Sequence, residues 1–249
     1  MTPRARITVM GVALLGLLAF YIWGVAGLPD FGHYKGPYGT TINHVVATER
    51  QLTNAVTSIV FDYRAYDTLG EELILFVSVV GVSLLVREQR DESEEVHPAA
   101  AKAEEHPRAS DAVRALGVAV VGATLLIGLY IVAHGNLTPG GGFQGGVILG
   151  AALLAVYFAG DFASLRQLSP SSIFELMHSA GAAGLALLGL GGLISGAAFF
   201  HNFLYTGTIG ELNSGGIAPL GNAAVGLEVF GAVLLLCSEF LHEAVLRRK

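Results

Sequence analysis

The chain has 249 residues, of which 53% are hydrophobic and only 14% are charged. Soluble domains carry about 25% charged residues, so this composition excludes most soluble enzymes and predicts a chain that lies largely in lipid. The formal net charge of −6 argues against nucleic acid as a partner. The single cysteine, Cys237, excludes an internal disulfide framework, a cysteine-built zinc site and an iron–sulfur cluster, and we expect no cofactor.

A membrane-spanning helix needs about 20 mostly apolar residues to cross roughly 30 Å of hydrocarbon. Six segments meet or approach this requirement: Ile7–Leu28, Leu73–Val86, Ala115–Ala133, Phe143–Gly160, Ile173–Phe200 and Pro219–Leu241. Arg4 and Arg6 before the first segment are also typical of a signal peptide, but the apolar run is long for one and no small-residue cleavage site stands out. We therefore interpret the first segment as a retained anchor.

The second segment is too short as it stands, because its 14 residues cover only about 21 Å. Extending it backward to Asp67 supplies the missing length and places Glu71 and Glu72 inside the edge of the hydrocarbon. In the alternative, the helix stays short, the bilayer thins locally, and both acids lie among the headgroups. The sequence leaves both arrangements open.

A different kind of helix is predicted between the first two spans, over Val45–Tyr63. Apolar side chains recur there at helical spacing, and polar side chains hold the opposite face. Its uncharged core, Gln51–Phe61, is too short to span a membrane. We expect an amphipathic helix at the membrane interface, with a re-entrant helix as the alternative.

Charge divides the chain and orients it. Residues 87–110 contain seven acidic and four basic residues without apolar periodicity, which is typical of a solvated linker. We therefore expect a unit with two spans (1–90), a charged linker (91–110) and a domain with four spans (111–249). If the N-terminus is cytoplasmic, eleven of the fourteen basic residues lie inside. The predicted fold is thus an all-α polytopic membrane protein with about six transmembrane helices, one interfacial amphipathic helix, and both termini in the cytoplasm.

Glu228 is the most informative single residue, because it lies near the centre of the last span with no other charge close by. A charged side chain at that depth costs about 2.5–3.5 kcal/mol on insertion scales. No Lys or Arg lies within any predicted span to pair with it. We interpret it as a proton or cation relay. The alternative is a neutral glutamic acid whose hydrogen bonds hold helices together.

Histidines near the span ends are further relay candidates. His178 follows Glu175, which is also a relay candidate, by one helical step in span five, His134 closes span three, and His201 closes span five. The alternative is that each is an ordinary interface residue. No histidine pair has the spacing of two metal ligands on one helix, so we expect no metal site.

The glycine-rich stretch 139–146 (PGGGFQGG) follows a membrane helix rather than a strand and lacks a Gly-Lys-Ser/Thr sequence, which argues against a nucleotide-binding loop. It predicts a tight turn that runs into span four, followed by a smooth stripe that lets another helix backbone approach closely. Six residues carry this interpretation: Pro139, Gly140, Gly141, Gly142, Gly146 and Gly150. Gly192 and Gly196 are expected to form a similar stripe in span five.

The segment 62–72 is rich in charged and aromatic residues at the expected entrance of span two. Arg64 can neutralise Asp62 or Asp67. Thr68 is a candidate N-cap, with Glu71 at the third helical position of a capping box. That assignment accounts for Glu71 as a structural residue but leaves Glu72 without a structural role, and both acids are relay candidates.

At these residues the chain resembles a known family. His134–Gly146 (HGNLTPGGGFQGG) is similar to the signature of the B subunit of Mrp/Mnh-type multisubunit Na+/H+ antiporters, and Gly210–Val229 is similar to that family's last helix. Glu228 falls where the family carries a membrane acid. The resemblance covers residues 111–249. Residues 54–71 instead resemble the C-terminal end of the large A subunit, or the separate small E subunit of membrane-bound hydrogenases.

The resemblance implies a fusion of two subunit types and a role in sodium/proton exchange. The implied partners are other Mrp-type subunits in a hetero-oligomer, the lipid bilayer, and Na+ and H+ as transported ions, in the cytoplasmic membrane of a prokaryote. The alternative is a scaffold subunit of a membrane-bound hydrogenase or a complex I-like assembly, without an ion path of its own. An intramembrane protease is disfavoured because the sequence shows no paired acids or Ser/His set expected to face each other.

Overall fold

The computed structural model describes residues 3–28, 36–86, 110–159 and 171–246. The predicted linker therefore lies almost wholly outside the described residues. The chain forms two compact units, Met1–Thr41 and Ile42–Lys249. In the described residues every regular element is a helix, which confirms the prediction of an all-α fold.

The first unit contains helix α1, Pro3–Ala26, and the start of α2, Pro37–Arg50. Residues Ile7–Ala26 of α1 are long and apolar enough to cross a membrane. Pro is favoured in the first turn of a helix because its missing N–H would have had no partner there, and both helices begin at a proline.

The second unit contains the rest of α2 and seven further helical segments. These are α3 (Ala55–Ser58), a π-helix (Ile59–Tyr63), α4 (Ala65–Val86), α5 (Asp111–Ala133), α6 (Gly142–Ala159), α7 (Ser171–Ile194) and α8 (Ala218–Leu246). Candidate membrane spans in this unit lie in α4, α5, α7 and α8, and α6 carries a shorter apolar stretch, Gly142–Val156. Together with α1, these helices make the chain a multi-pass membrane protein.

The single helix predicted over Val45–Tyr63 is wrong, because the segment is broken into three pieces. Helix α2 stops at Arg50, and Gln51 has a positive φ of 54° that no regular helix accommodates. Asn54 then caps α3, its side-chain oxygen accepting hydrogen bonds from the backbone N–H groups of Val56 and Thr57. The π-helix follows directly, a form that is rare and is frequently found at functional sites.

Helix α4 begins at Ala65, earlier than either start that the sequence suggested, and the depth of Glu71 and Glu72 in the membrane stays a prediction. Its 22 residues from Ala65 are enough to cross the hydrocarbon. Glu71 and Glu72 therefore lie within the helix rather than before it. The predicted N-cap at Thr68 is wrong, since Thr68 already lies in the helix and its hydroxyl donates to the carbonyl of Val60 at 2.7 Å.

Span five ends sooner than predicted, at Ile194 instead of Phe200. The chain turns at Gly196, whose φ of +82° favours glycine, and Phe200 also has a positive φ of 60°. A Cβ at Gly192 would collide with backbone atoms of this turn, including Ala198 O at 2.5 Å. Gly192, in the last turn of α7, therefore makes room for the turn that contains Gly196, and the two glycines do not form the expected helix stripe.

Helix α8 is the centre of the second unit and packs against α4, α5, α6 and α7. The glycines of α6 face it closely: a Cβ at Gly146 would lie 2.8 Å from Gly226 O, and one at Gly150 would lie 2.7 Å from Val233 Cγ1. Small residues permit such close backbone approach between membrane helices. The predicted stripe is thus covered within the chain itself.

Buried asparagines join the connecting segments at the end of the bundle where α4 and α8 begin. The amide of Asn54 donates to the carbonyls of Gly135 and Thr138, and that of Asn136 donates to Ser214 O at 3.1 Å. Asn222 accepts a bond from the N–H of Gly142 at 2.9 Å, at the start of α6. Irregular backbone needs such partners when it is removed from water.

Candidate functional site

Glu228 lies in the middle of α8 and is fully buried, with an exposed fraction of 0%. Neither of its carboxyl oxygens has a hydrogen-bond partner among the described residues. The ion pairs of the described segments, Arg50–Asp62 and Arg64–Asp67, do not involve it. The hydrogen-bonded structural role that was the alternative for Glu228 therefore has no partner within the described ranges of this chain.

Glu72 of α4 is the second member of the site. It is 4% exposed, and its Oε2 atom also lacks a hydrogen-bond partner in the described part of the chain. It lies near enough to Glu228 for the two carboxyl groups to interact electrostatically. The two acids lie on helices that pack against each other, α4 and α8, a relation that the sequence did not predict. Because the two groups would repel each other when both are charged, the pair favours states that hold a proton or a cation.

His178 of α7 is the third member and is 2% exposed. Its Nδ1 lies 3.2 Å from the backbone carbonyl of Glu228. A carbonyl oxygen only accepts, so Nδ1 carries the hydrogen and Nε2 of the neutral ring is left as an acceptor. Nε2 makes no hydrogen bond of normal geometry among the residues described, although the backbone of Phe76 lies near enough to the ring to interact with it. The ring stacks on Phe76 of α4 at a centroid distance of 4.8 Å, which fixes its plane.

Two glycines explain why His178 and Glu228 meet. A Cβ at Gly181 of α7 would come 2.6 Å from both Ala224 O and the Cα of Glu228, and a Cβ at Gly231 of α8 would come 2.6 Å from His178 N. The obstructing atoms are all backbone and cannot move aside. The two helices can cross at this distance only because both positions are glycine.

The remaining relay candidates from the sequence lie elsewhere. Glu71 is exposed, about 100° around α4 from Glu72, and Glu175 is exposed one turn before His178. His134 follows the last residue of α5, where its ring stacks on Tyr130 at 4.1 Å. His201 is exposed in the segment after α7. None of these four side chains joins the buried group.

The turn residues are placed as follows. Pro139 is exposed, and Gly140 and Gly141 have φ values of 127° and 140°, which only glycine adopts readily. Gly142 begins α6. Gly142, Gly146 and Gly150 all point toward α8, so this stretch positions α6 and takes no direct part in the buried group.

The charged residues before α4 form a separate cluster at the end of the bundle. Arg50 pairs with Asp62 at 3.0 Å, and Asp62 also accepts a bond from Asn202 at 3.0 Å. Arg64 pairs with Asp67. Burial and a hydrogen bond to Glu49 raise the pKa of Tyr63 above its usual value. These pairs neutralise the charges that surround the start of α4.

The arrangement suits proton movement better than metal binding. Within the described ranges, no group of three or more His, Cys, Asp or Glu side chains is placed to hold a metal ion. Glu72, His178 and Glu228 instead offer four buried polar atoms that lack partners in those ranges. Each group can gain and lose a proton, and none has a fixed countercharge among the described residues.

Sequence reasoning identified all three residues but not their proximity, and it missed a cleft beside them. Ser83 of α4, Ser179 of α7 and Glu239 of α8 line this cleft together with Glu175 and His178. The only sequence signal for this cleft was that two serines and an acid lie within two or three turns of the ends of spans. This pattern is too common in membrane proteins to identify a site.

Comparisons with known proteins agree with this architecture. A family model described as a domain related to the MnhB subunit of Na+/H+ antiporters matches residues 112–235. An uncharacterized protein of Methanocaldococcus jannaschii is 31% identical over 92% of this chain and 93% of its own length. The B subunit of a Na+/H+ antiporter from Bacillus subtilis is 35% identical over 82 residues, which are 32% of this chain and 57% of that protein.

Two solved structures share the fold. A chain of the membrane-bound sulfane sulfur reductase, described as an archaeal respiratory membrane complex, matches with a TM-score of 0.71 at 28% identity and covers 96% of this chain and 99% of its own length. A chain of the Mrp complex from a Dietzia species has the same TM-score at 23% identity, over 96% of this chain and 26% of its own. The predicted resemblance to the B subunit is confirmed, and the chain belongs to the family of proteins with a domain related to the MnhB subunit of Na+/H+ antiporters.

Proposed function

We propose that this chain is a membrane subunit of an Mrp-type multisubunit Na+/H+ antiporter, and that Glu72, His178 and Glu228 form a proton relay within it. The observation that carries the proposal is the burial of two neighbouring carboxyl groups and one imidazole without partners, in the described part of the chain, for four of their polar atoms. A purely structural group would be expected to satisfy these atoms, since unpaired buried polar groups cost about 1–3 kcal/mol each.

The chemistry follows from the lack of a fixed countercharge among the described residues. A carboxylate away from water must bind a proton or a cation to be tolerated. When a proton leaves Glu228, the nearby Glu72 and the Nε2 of His178 are the available acceptors in the described structure. A proton can therefore pass among the three groups while their net charge stays the same. Coupling to sodium requires the partner subunits of the complex.

The site also relates the two resemblances found in the sequence. Glu72 follows directly on the segment that resembles the A or E subunit, and His178 and Glu228 belong to the part that resembles the B subunit. Partners are accordingly the remaining Mrp-type subunits. We propose a prokaryotic cytoplasmic membrane as the location, with both termini in the cytoplasm, because the basic residues follow that orientation.

A second candidate is a subunit of a respiratory complex. The likeness to a chain of the sulfane sulfur reductase extends over almost the full length of both chains. In that assembly the same relay would serve a redox-driven complex, or the chain would act only as a scaffold. Purifying the tagged chain from its native membrane separates the candidates, because a co-purifying redox subunit favours the second.

The relay is tested by Glu228→Gln in the complete complex. Gln keeps the size and hydrogen-bonding capacity of the side chain but cannot exchange a proton. We expect normal assembly and a roughly 100-fold loss of exchange, the lower end of the effect of a positioned proton-transfer group. The measurement is the dissipation of a pH gradient by added sodium in vesicles from a strain without other antiporters, with the amount of complex read on native gels.

The matched control is Glu211→Gln, since Glu211 is an exposed acid between α7 and α8, and it should exchange normally. Glu228→Asp should keep partial activity because the carboxyl group remains, one methylene further back. Full exchange by Glu228→Gln at normal abundance would contradict the relay and favour a scaffold. Loss of the complex would instead assign Glu228 a structural role.

A further inference from the structure

A cleft with both polar and apolar lining lies beside the buried site, between α4, α7 and α8. Its volume is about 520 Å³, and its polar lining consists of Ser83, Glu175, His178, Ser179 and Glu239. We call it the carboxylate cleft. Ser83 lies near the end of α4, Glu239 near the end of α8 and Glu175 near the start of α7. The cleft therefore lies toward the side of the membrane where α4 and α8 end and α7 begins.

Helices α4 and α8 both extend from the buried site to this cleft, and on each helix the same number of residues separates the two. Glu72 and Ser83 are eleven residues apart on α4, and Glu228 and Glu239 are eleven residues apart on α8. At 1.5 Å per residue both steps are about 16 Å. Since Glu72 lies near Glu228 and Ser83 shares the cleft with Glu239, the two helices run side by side from one level to the other.

His178 is the residue that belongs to both levels. Its Nδ1 is bonded to the backbone carbonyl of Glu228, while the residue also lines the carboxylate cleft. The residue is only 2% exposed, and its Nε2 makes no hydrogen bond of normal geometry in the described segments. A buried imidazole that can take up a proton, in a residue that also lines a cleft, is the feature expected where a proton is handed over.

The electrostatics of the cleft favour cations. Glu175 and Glu239 contribute two carboxylates, and no Lys or Arg is among the described residues that line this cleft. Clefts lined by charge of one sign raise the local concentration of the opposite sign by about 10–1,000-fold. Ser83 and Ser179 add hydroxyl groups that can bond to water.

We propose that the carboxylate cleft is the inlet through which water-borne protons reach His178 from the side of the membrane where α8 ends. This inference rests on the proposed relay. A hydronium ion in the cleft gives its proton to Nε2, which leaves one water molecule and an imidazolium ring. Nε2 then releases the proton to the carboxylate of Glu228 or Glu72, and the neutral ring returns with the hydrogen on Nδ1 unchanged.

Cysteine labelling of the assembled complex tests the inlet. In a Cys237→Ala background, Ser83→Cys and Ser179→Cys place thiols in the cleft, and Ser78→Cys places one on an exposed part of α4 outside it. The probes are a cationic methanethiosulfonate with a trimethylammonium group and an anionic one of similar size. Only the thiolate reacts, so modification requires water. Vesicles of both orientations identify the open side.

We expect the two cleft cysteines to react from one side only, and the cationic reagent to react at least roughly tenfold faster than the anionic one. Glu175→Gln with Glu239→Gln should remove this preference, and complete modification should stop exchange. Reaction no faster than that of Ser78→Cys, no charge preference, or full exchange after complete modification would overturn the inlet.

The relay and the inlet can be contradicted independently of each other. If Glu228→Gln lowers exchange but a fully modified cleft does not, the relay stands and the inlet is wrong. If Glu228→Gln exchanges normally, the relay is wrong, and labelling in the Glu228→Gln complex still reports whether the cleft is wet and selects cations.

Discussion

Two adjacent glutamates on α4 have opposite surroundings. Glu71 is exposed, whereas Glu72 is 4% exposed and interacts electrostatically with Glu228. Sequence reasoning could not distinguish the two acids as relay candidates, because their placement depended on where the helix begins. Its start at Ala65 puts both within the helix, and helical geometry then turns only one of them toward α8.

We therefore expect Glu72→Gln and Glu71→Gln to differ although they are the same chemical change. Glu72→Gln removes a proton-binding group from the buried pair and should reduce sodium-dependent exchange strongly. Glu71→Gln should leave assembly intact and reduce exchange far less, because water or headgroups can replace an exposed carboxyl group. Exchange is measured in vesicles at matched amounts of complex. Equal losses in both variants would contradict the distinction drawn from burial.

The individual residues of the site could largely be predicted from the sequence, but which of them lie close together could not. Glu228 stands out in sequence because an isolated acid in a long apolar segment is costly. His178 was one of several histidines near span ends and had no distinguishing mark. What selects it is the contact between α7 and α8, and such a contact depends on the crossing of helices rather than on local sequence.

Among the elements, the crossing of α7 and α8 determines the site geometry. It depends on Gly181 and Gly231, which are not part of any four-residue repeat. The repeat that the sequence did show, in α6, serves instead to seat α6 against α8. Likewise, the break at Gln51 and the π-helix after α3 lie within a segment whose apolar spacing predicts one continuous helix.

Gly181→Ala should separate α7 from α8. The added methyl group would meet backbone atoms of Ala224 and Glu228, and overpacking of this kind costs about 1–3 kcal/mol. We expect lower thermal stability in detergent and a loss of exchange larger than the loss of complex. Gly122→Ala on α5 is the control, since nothing described lies within 4 Å of its Cβ position. A stable, fully active Gly181→Ala protein would show that the close crossing is not required.

For the whole molecule, the contacts between residues 42–86 and 110–246 are extensive enough to hold these two parts together without the linker. Leu52 fills the space above Gly215, Phe61 packs on Gly221, and Asn54 bonds to the carbonyl of Gly135. The sequence predicted two fused units with a charged connection, and that division stays a prediction.

Two separate chains, 1–95 and 105–249, should therefore assemble when they are produced together. We expect them to co-purify and to support exchange. Asn54→Ala should lower recovery of the split protein more than that of the intact chain, because a covalent linker keeps the halves at a high effective concentration. Thr48→Ala is the control, as its hydroxyl bonds locally to Val45. Failure of the unmodified halves to associate would show that the connection itself is essential.

Glu72 is far in sequence from His178 and Glu228, and this separation has a consequence for how the protein is made and inserted. Synthesis runs from the N-terminus, so α4 enters the bilayer with Glu72 before α7 and α8 have been made. At that stage the acid has neither His178 nor Glu228 beside it. In the proposed relay, a half-made subunit therefore lacks two of the three proton-binding groups until α7 and α8 are in place.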